Sequence, residues 1–462
     1  MKHWAHNGFK ALTSAWVLAL LATAGWSQSI TWLGTLPYGD WSWAYGVSAD
    51  GAVVVGVAEN AAGWTRAFRW TASGGMQDLD TLGGRDSAAR GVSADGSVVV
   101  GTDLDYYDYN DYYARAFRWT VDGGTQNLGA LGGGESAAYG VSADGTVVVG
   151  EARNAAGEYR AFRWTASGGM QDLGTLGVGW SAAYGVSADG AVVVGWAQNA
   201  TWQRRAFRWT ASGGMQDLGT LPGGNHSVAQ GVSADGSVVV GWAYNAAWQE
   251  RAFRWTVDGG MQNLGTLGGN RSAAYGVSAD GSVVVGWAQN AAGDGHAFRW
   301  TAAGGMEDLN TTYASLLTNG SVLRVARAIS PDGRYIVGWG TNAATNRIEA
   351  FLLDTGFPRR GDADRNGCVD DADLLQVLFA FGGRGYRNED LNWDGIVDDA
   401  DLLAVLFQFG SGCYTNRAGK VHNCMRARRS RSQPASRWER GRPARNKRTR
   451  SPVFCELWFG DW

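Results

Sequence analysis

The sequence predicts an all-β fold, a seven-bladed β-propeller closed by its own N-terminal strand, followed by a small α-helical calcium-binding module. Three observations predict it. A unit typified by GVSADGSVVVGWAQNAAGDGHAFRWTAAGGMEDL starts at Gly46, Gly91, Gly140, Gly185, Gly231 and Gly276, and a diverged seventh copy, AISPDGRYIVGW, starts at Ala328. The starts lie 45 to 52 residues apart. Each complete copy holds four short β-type runs, the content of one propeller blade. Beyond the repeats, two tandem loops space oxygen-bearing side chains as calcium requires.

In the Gly276 copy the first strand is AAYGVS, which stops at the hairpin signal Asp280-Gly281. SVVVGWA is the second strand. Its consecutive valines leave no polar face, so burial on both sides is expected. AFRWT is the third strand, and MEDL is the fourth across an AAGG turn. The array opens at ITWLGTL (30–36), which matches only a fourth strand, and closes at EAFLLD (349–354), which matches only a third. Six complete units and one split unit make seven blades. The N-terminal strand then completes the last blade and leaves no open sheet edge. The expected divisions are a leader over 1–27, the propeller over 28–354, a linker over 355–360, the calcium module over 361–413 and a basic tail over 414–462.

The layout resembles the WD-repeat plan, with SADG where that family often has SPDG, although its Gly-His and Trp-Asp signatures are missing. Residues 30–354 are more closely similar to the HAF repeats of extracellular bacterial proteins, in which GVSADG, VVVG, AFRW and LGTLGG recur. That resemblance implies no defined activity.

Composition bounds the chemistry. Lys2 and Lys10 precede an apolar stretch, Ala11 to Ala24, and then small residues, which reads as a secretory signal peptide. No later segment is long and apolar enough to span a membrane, so the expectation is an exported, extracellular or cell-surface protein. From Tyr414 onward there are 13 Lys and Arg against 3 Asp and Glu. That leaves 40 − 13 = 27 basic against 43 − 3 = 40 acidic residues, so an acidic body carries a basic tail. The tail reads as a disordered appendage or a misread gene end, and no nucleic-acid partner is expected. Lysine is absent between Lys10 and Lys420, and the propeller's histidines are His226 and His296. Lysine nucleophiles are excluded there, and histidine acid–base work or zinc ligation has little scope.

Residues that recur in every copy serve the blade; those that differ are candidates for a ligand. Phe298 and Trp300, like Phe68 and Trp70, alternate on one strand face and read as packing between blades. A four-residue turn would set the intervening arginine opposite an aspartate, predicting structural ion pairs Arg69–Asp78, Arg163–Asp172, Arg208–Asp217 and Arg299–Asp308. Asn127 and Asn263 replace the aspartate in two copies, which carry Asp122 and Asp258 in the turn instead. Asn60, Asn154, Asn199, Asn245 and Asn290 read as turn formers. Variation concentrates in two loop sets that emerge on one face of the disc. The second-to-third-strand loops offer Trp64, Tyr159, Trp202, Trp248 and an insertion at 103–113 that includes Tyr107 and Tyr109. The links between blades offer Trp41, Trp43, Arg85, Asp86, Glu135, Trp180, His226 and Arg271. Aromatic platforms with polar neighbours suit a sugar ring or a protein partner.

The module's first loop supplies Asp362, Asp364, Asn366, the Cys368 carbonyl, Asp370 and Asp373. The second, 28 residues on, supplies Asp390, Asn392, Asp394, the Ile396 carbonyl, Asp398 and Asp401. Hard oxygen donors at alternate positions, with Gly367 or Gly395 permitting the sharp turn, predict two calcium ions. Cys368 lies in the first loop and Cys413 just past the second helix, and in an exported protein they predict a disulfide worth ~4 kcal/mol on the chain-entropy model. Aspartate at the twelfth loop position, with one helix after each loop, resembles a type I dockerin over about residues 361–410. The resemblance implies a calcium-folded module that docks onto cohesin domains of scaffold or cell-surface proteins, and Asp371-Ala372 and Asp399-Ala400 hold the recognition positions. Those pairs differ from the Ser/Thr pairs of cellulosomal members. The helices LLQVLFAFG and LLAVLFQFG are apolar nearly all round and need a partner surface.

The resulting expectation is a secreted, non-catalytic propeller that binds a glycan or protein, tethered to a cohesin-type or cell-surface partner. The alternatives are a polysaccharide-degrading enzyme, for which Asp86 and Glu135 are the candidate carboxylates, and a structural surface-layer component.

Overall fold

The computed structural model describes residues 28–108, 111–358, 361–385, 387–412, 414–415 and 421–422. The expected leader, Tyr109, Cys413 and most of the basic tail lie outside these. Seven four-stranded antiparallel sheets form a seven-bladed β-propeller. Blade 1 runs outward through Ser42–Val47, Val53–Glu59, Thr65–Thr71 and Gly75–Asp78. Blade 7 takes Val322–Ile329, Tyr335–Asn342 and Arg347–Asp354 from the C-terminal end and Ser29–Trp32 as its outermost strand. Ser29 pairs with Asp354 and Trp32 with Phe351, so the split copy closes the circle as expected.

The VVVG run and the FRW run make one packing unit. Val54 and Val55 and the third-strand Phe68 are fully buried, and the phenylalanine is fully buried in all seven blades. The glycine that ends VVVG sits directly over this ring. A Cβ on Gly150 would fall 1.9 Å from the Ala137 carbonyl oxygen and 2.8 Å from the Phe162 ring, so no larger residue fits.

Recurring polar groups tie each blade to the next. The SADG alanines form a chain of backbone hydrogen bonds beneath the disc: Ala49 to Ala94, Ala94 to Ala143, Ala143 to Ala188, Ala188 to Ala234, Ala234 to Ala279 and Ala279 to Pro331, at 2.8–3.1 Å. The link back to blade 1 would need an N–H on Pro331, which proline lacks. First-strand serines accept from the preceding blade, as Ser181 Oγ does from the Ala161 amide at 2.8 Å. Within each SADG turn the aspartate accepts from the serine hydroxyl, as in Ser142 Oγ to Asp144 Oδ1 at 2.5 Å.

The second-blade insertion is no loose loop. Its tyrosine- and aspartate-rich residues extend the hairpin, with strands Val98–Asp108 and Asp111–Thr120 paired as far as Asp108 and Asp111 and a register shift between Tyr106 and Asp108. Tyrosine favours strands.

The C-terminal module has two helices, Asp371–Ala380 and Asp399–Gln408, each opened by a reciprocal cap, Asp370 with Asp373 and Asp398 with Asp401. Its small core joins Ala363, Val369, Val377, Val397 and Val405. Each loop pairs with the segment after the other helix: Val397 donates to the Gly383 carbonyl and Val369 to the Ser411 carbonyl, at 3.0 and 2.9 Å. Among the described residues no helix is long and apolar enough to cross a membrane.

Candidate functional site

The varied loops and blade links assemble into pairs at blade junctions. Arg85 lies over the Trp64 ring at 5.9 Å, and Asp86 accepts from the Thr65 amide at 2.8 Å. Glu135 binds the Tyr159 hydroxyl and the Arg153 guanidinium, and Tyr159 meets Trp180 edge-on at 6.3 Å. Tyr244 lies between His226 and Trp248, at 6.0 and 6.1 Å. Arg271 pairs with Glu250 and lies over Trp287 at 5.6 Å. Trp43 bridges Trp41 and Trp339, at 5.0 and 5.6 Å. Trp202 and Trp248 are about two-thirds exposed, and each takes a positive φ in its turn. Tyr107 lies on the extended hairpin. Asn60, like its counterparts, accepts from two turn amides, here those of Ala62 and Trp64.

The expected pairs Arg69–Asp78, Arg163–Asp172, Arg208–Asp217 and Arg299–Asp308 do not form. Thr71 pairs with Gly75, a left-handed glycine, so the turn is one residue shorter than assumed. Gln77 then faces Arg69, and Asp78 faces Phe68. The same register sets Gln171, Gln216 and Glu307 opposite Arg163, Arg208 and Arg299. Asp78 instead binds Arg66 at 2.8 Å, and Asp308 binds His296 at 2.7 Å. Two of the freed FRW arginines reach the next blade, Arg163 Nε donating to the Gly190 carbonyl and Arg208 Nε to that of Gly236, at 3.1 and 2.9 Å, while Arg299 stays beside Glu307 at 3.9 Å.

A second cluster lies where the sequence looked most constant. Each first strand carries a bulge before its glycine or, in blade 7, before Ala328, at Ala44/Gly46 in blade 1 and Ala326/Ala328 in blade 7. A bulge re-aims a side chain, here into the central channel. Around the axis these residues are Tyr45, Arg90, Tyr139, Tyr184, Gln230, Tyr275 and Arg327, which line a cavity of about 480 Å³. Arg327 lies over Tyr275 at 4.2 Å and Tyr45 at 5.5 Å, and Arg90 lies over Tyr45 at 4.5 Å. Tyr139 donates to Glu151 at 2.8 Å, and Trp196 donates to Tyr184 at 3.1 Å. Burial, reinforced by Glu151, pushes the Tyr139 phenol well up, and burial raises Tyr184 and Tyr275, so these hydroxyls stay neutral. Comparing the copies column by column could have found this ring, because one position in an otherwise fixed strand reads Tyr, Arg, Tyr, Tyr, Gln, Tyr, Arg.

In the module, one oxygen from each of Asp362, Asp364 and Asp373 lies within 4.8 Å of the others, a group able to hold a metal ion. Asp362 Oδ1 is buried without a hydrogen bond. Burial, with Asp373 and Asp364 alongside, pushes the Asp362 carboxyl up to about 7. Burial with Asp401 and Asp394 does the same to Asp390. Such crowding of carboxylates fits a cation that neutralises them. Asp370 and Asp398 are engaged as helix caps, Asn366 and Asn392 hydrogen-bond Asp364 and Asp394, and Asp401 is fully buried. Cys368 is disulfide-bonded, and its expected partner Cys413 lies outside the described residues. At the fourth position of each loop, Arg365 pairs with Asp280 below blade 6, and Trp393, 5% exposed, lies among Val47, Val92, Val141 and Pro331 at the lower channel mouth.

No family model matches the chain, and no curated protein matches it. Among solved structures, TolB from Acinetobacter baumannii is similar at 11% identity and a TM-score of 0.39, over 66% of this chain and 64% of that one. An oligogalacturonate lyase in complex with manganese is similar at 14% identity and a TM-score of 0.46, over 72% and 94%. A puromycin hydrolase is similar at 15% identity and a TM-score of 0.43, over 69% and 52%. The chain thus spans less than two-thirds of the TolB chain and about half of the hydrolase. These likenesses concern the fold alone, and what the chain is, on its own geometry, is a seven-bladed β-propeller with a small helical module.

Proposed function

We propose that this protein is an exported, non-catalytic binding propeller whose loop face takes a glycan or protein, joined through a dockerin-like, calcium-folded module to a cohesin-type or cell-surface partner. The observation that carries the reading is the split between a uniform lower face, occupied by turn-to-turn hydrogen bonds, and an upper face with exposed Trp64, Trp180, Trp202 and Trp248. Binding is favoured over hydrolysis because the acids there are already engaged: Asp86 by the Thr65 amide and Glu135 by Tyr159 and Arg153. HAF-like repeats imply no activity, in keeping with that.

Two calcium ions would be held by Asp362, Asp364, Asn366, the Cys368 carbonyl, Asp370 and Asp373, and by Asp390, Asn392, Asp394, the Ile396 carbonyl, Asp398 and Asp401. Calcium supplies the positive charge that lets these buried carboxylates stay ionised together. The helices support the tether, since Phe379 and Phe407, at matching positions, are 87% and 80% exposed, with Leu375, Leu378, Leu403 and Leu406 beside them. The test is a pull-down from the native secretome with and without calcium, run beside a glycan array and a polysaccharide turnover assay. Calcium-dependent capture of a surface or scaffold protein, with glycan binding and no product, is expected; product formation rejects the non-catalytic reading.

A further inference from the structure

The inner ring is electrically lopsided. Blades 6, 7, 1 and 2 present Tyr275, Arg327, Tyr45 and Arg90 in turn, so Arg327 is held between two rings and Arg90 against one. Stacking fixes the guanidinium planes. Neither arginine has an ion-pair partner among the described residues, and Arg327 Nε is buried without a hydrogen bond. Blades 3 to 5 present neutral Tyr139, Tyr184 and Gln230. Two acids lie near the ring there: Glu151 in blade 3 binds Tyr139, and Glu250 in blade 5, close enough to act on Tyr275, is paired with Arg271. Unpaired cations partly withdrawn from water, with donors held in place, are a site for an anion.

A second cavity opens into the same arc. It holds about 400 Å³ between blades 6 and 7, walled by Trp287 and Trp339 and floored by Tyr275, Arg324 and Arg327, the last also lining the channel. Both cavities are the size of one or two sugar rings rather than a polymer groove. Trp43 stacks on one side of Trp339 and Arg271 covers one side of Trp287, which leaves each indole one flat apolar face of the kind a pyranose ring matches with its C–H face. A simple inorganic anion would use the arginines and leave the tryptophans idle.

We propose that the blade 6–7 groove and the channel mouth form one binding site for an acidic saccharide, its ring against Trp287 and Trp339 and its anionic group on Arg327, with Arg324 and Arg90 flanking. This rests on the reading of the propeller as a binding module and deepens it by naming ligand class and place. The full-length chain in calcium would be titrated calorimetrically with a hexuronic acid oligomer, the matching neutral hexose oligomer, a sulfated oligomer and inorganic sulfate. The acidic oligomer should bind at least tenfold more tightly than the neutral one. Arg327→Gln and Trp339→Ala should each weaken it at least tenfold, with melting temperature read for every variant, while Asp258→Asn, in the exposed turn of blade 5, should leave it unchanged. Preference for the uronate over the sulfated chain assigns a carboxylate, and the reverse assigns a sulfate ester. Equal binding of neutral and acidic oligomers, or inorganic sulfate matching the oligomer, overturns the proposal whatever the variants do. Neutral binding that is lost in Trp202→Ala and Trp248→Ala but not in Arg327→Gln overturns this site while sparing the loop-face reading. No saccharide binding at all sinks the site and the glycan form of that reading together.

Discussion

Arg365, the fourth residue of the first module loop, forms an ion pair with Asp280 in the SADG turn of blade 6. Trp393 holds the same position in the second loop and lies at the lower channel mouth. Both take a left-handed backbone, with φ of 58° and 60°, so the loops' own geometry presents these side chains to the disc. The module therefore sits on the uniform face, with its exposed Phe379 and Phe407 free of its own core.

Arg365→Ala and Trp393→Ala should loosen this seat without unfolding either part. A half-buried charge pair that loses one member costs on the order of 1–3 kcal/mol. Hydrogen exchange at the Ala49 and Ala94 turns should rise in both variants, and the radius of gyration by small-angle scattering should increase. An unchanged scattering profile for the double variant would reject the docked arrangement.

Chelation should unfold residues 361–413 and spare the propeller, whose strand and turn-to-turn hydrogen bonds are made within the disc, the Arg365–Asp280 pair aside. Calorimetry on the calcium-free chain should read two sites, and Asp373→Asn or Asp401→Asn should remove one each, because each variant discharges a fully buried carboxylate. A module whose circular dichroism and protease resistance are identical in chelator and in calcium would rule the claim out. Peptide mapping of the unreduced protein identifies the half-cystine bonded to Cys368.

The fold was legible because its signals are local and repeated. Ile30 to Leu36 reads as a fourth strand standing alone, and only ring closure gives Ser29–Trp32 its partner in Arg347–Asp354. Register was less legible: a left-handed Gly75 shortens one turn by a residue, and that slip moves Asp78 from Arg69 to Arg66. The channel ring was hard to read from sequence because a bulge redirects Tyr45 or Arg327 out of the alternating pattern, and bulges carry no strong composition signal. Placement of the module was illegible too, since Arg365 and Trp393 look like loop filler until the disc lies opposite them.

Core packing gives a sharper test of the blade unit. Phe162→Ala should cost roughly 3–5 kcal/mol, as for other buried aromatic truncations. Gly150→Ala, though it adds one carbon, should be at least as harmful, because its Cβ would meet the Ala137 carbonyl at 1.9 Å and backbone cannot step aside cheaply. Denaturant unfolding measures both. If Gly150→Ala leaves the midpoint in place, the first two strands of blade 3 do not approach as closely as described.

Acid should weaken the lower face through the SADG aspartates. Burial pushes the Asp95, Asp144 and Asp235 carboxyls upward, but hydrogen bonds from Ser93, Ser142 and Ser233 and from turn amides outweigh it, so each is held below 3.8. A folded-state value below the unfolded one stabilises the fold above the unfolded value, and that stability is lost as pH falls through the lowered one. The disc's melting temperature should therefore be flat on the neutral side and drop once pH passes below about 4. Asp332 has the opposite sign, because burial raises it despite Ser330 and the Arg334 amide. Its charge costs stability at neutral pH, so Asp332→Asn should raise the neutral melting temperature while Asp144→Asn lowers it. A triple Asp95→Asn, Asp144→Asn, Asp235→Asn variant that keeps the full acid limb would assign that limb to other groups.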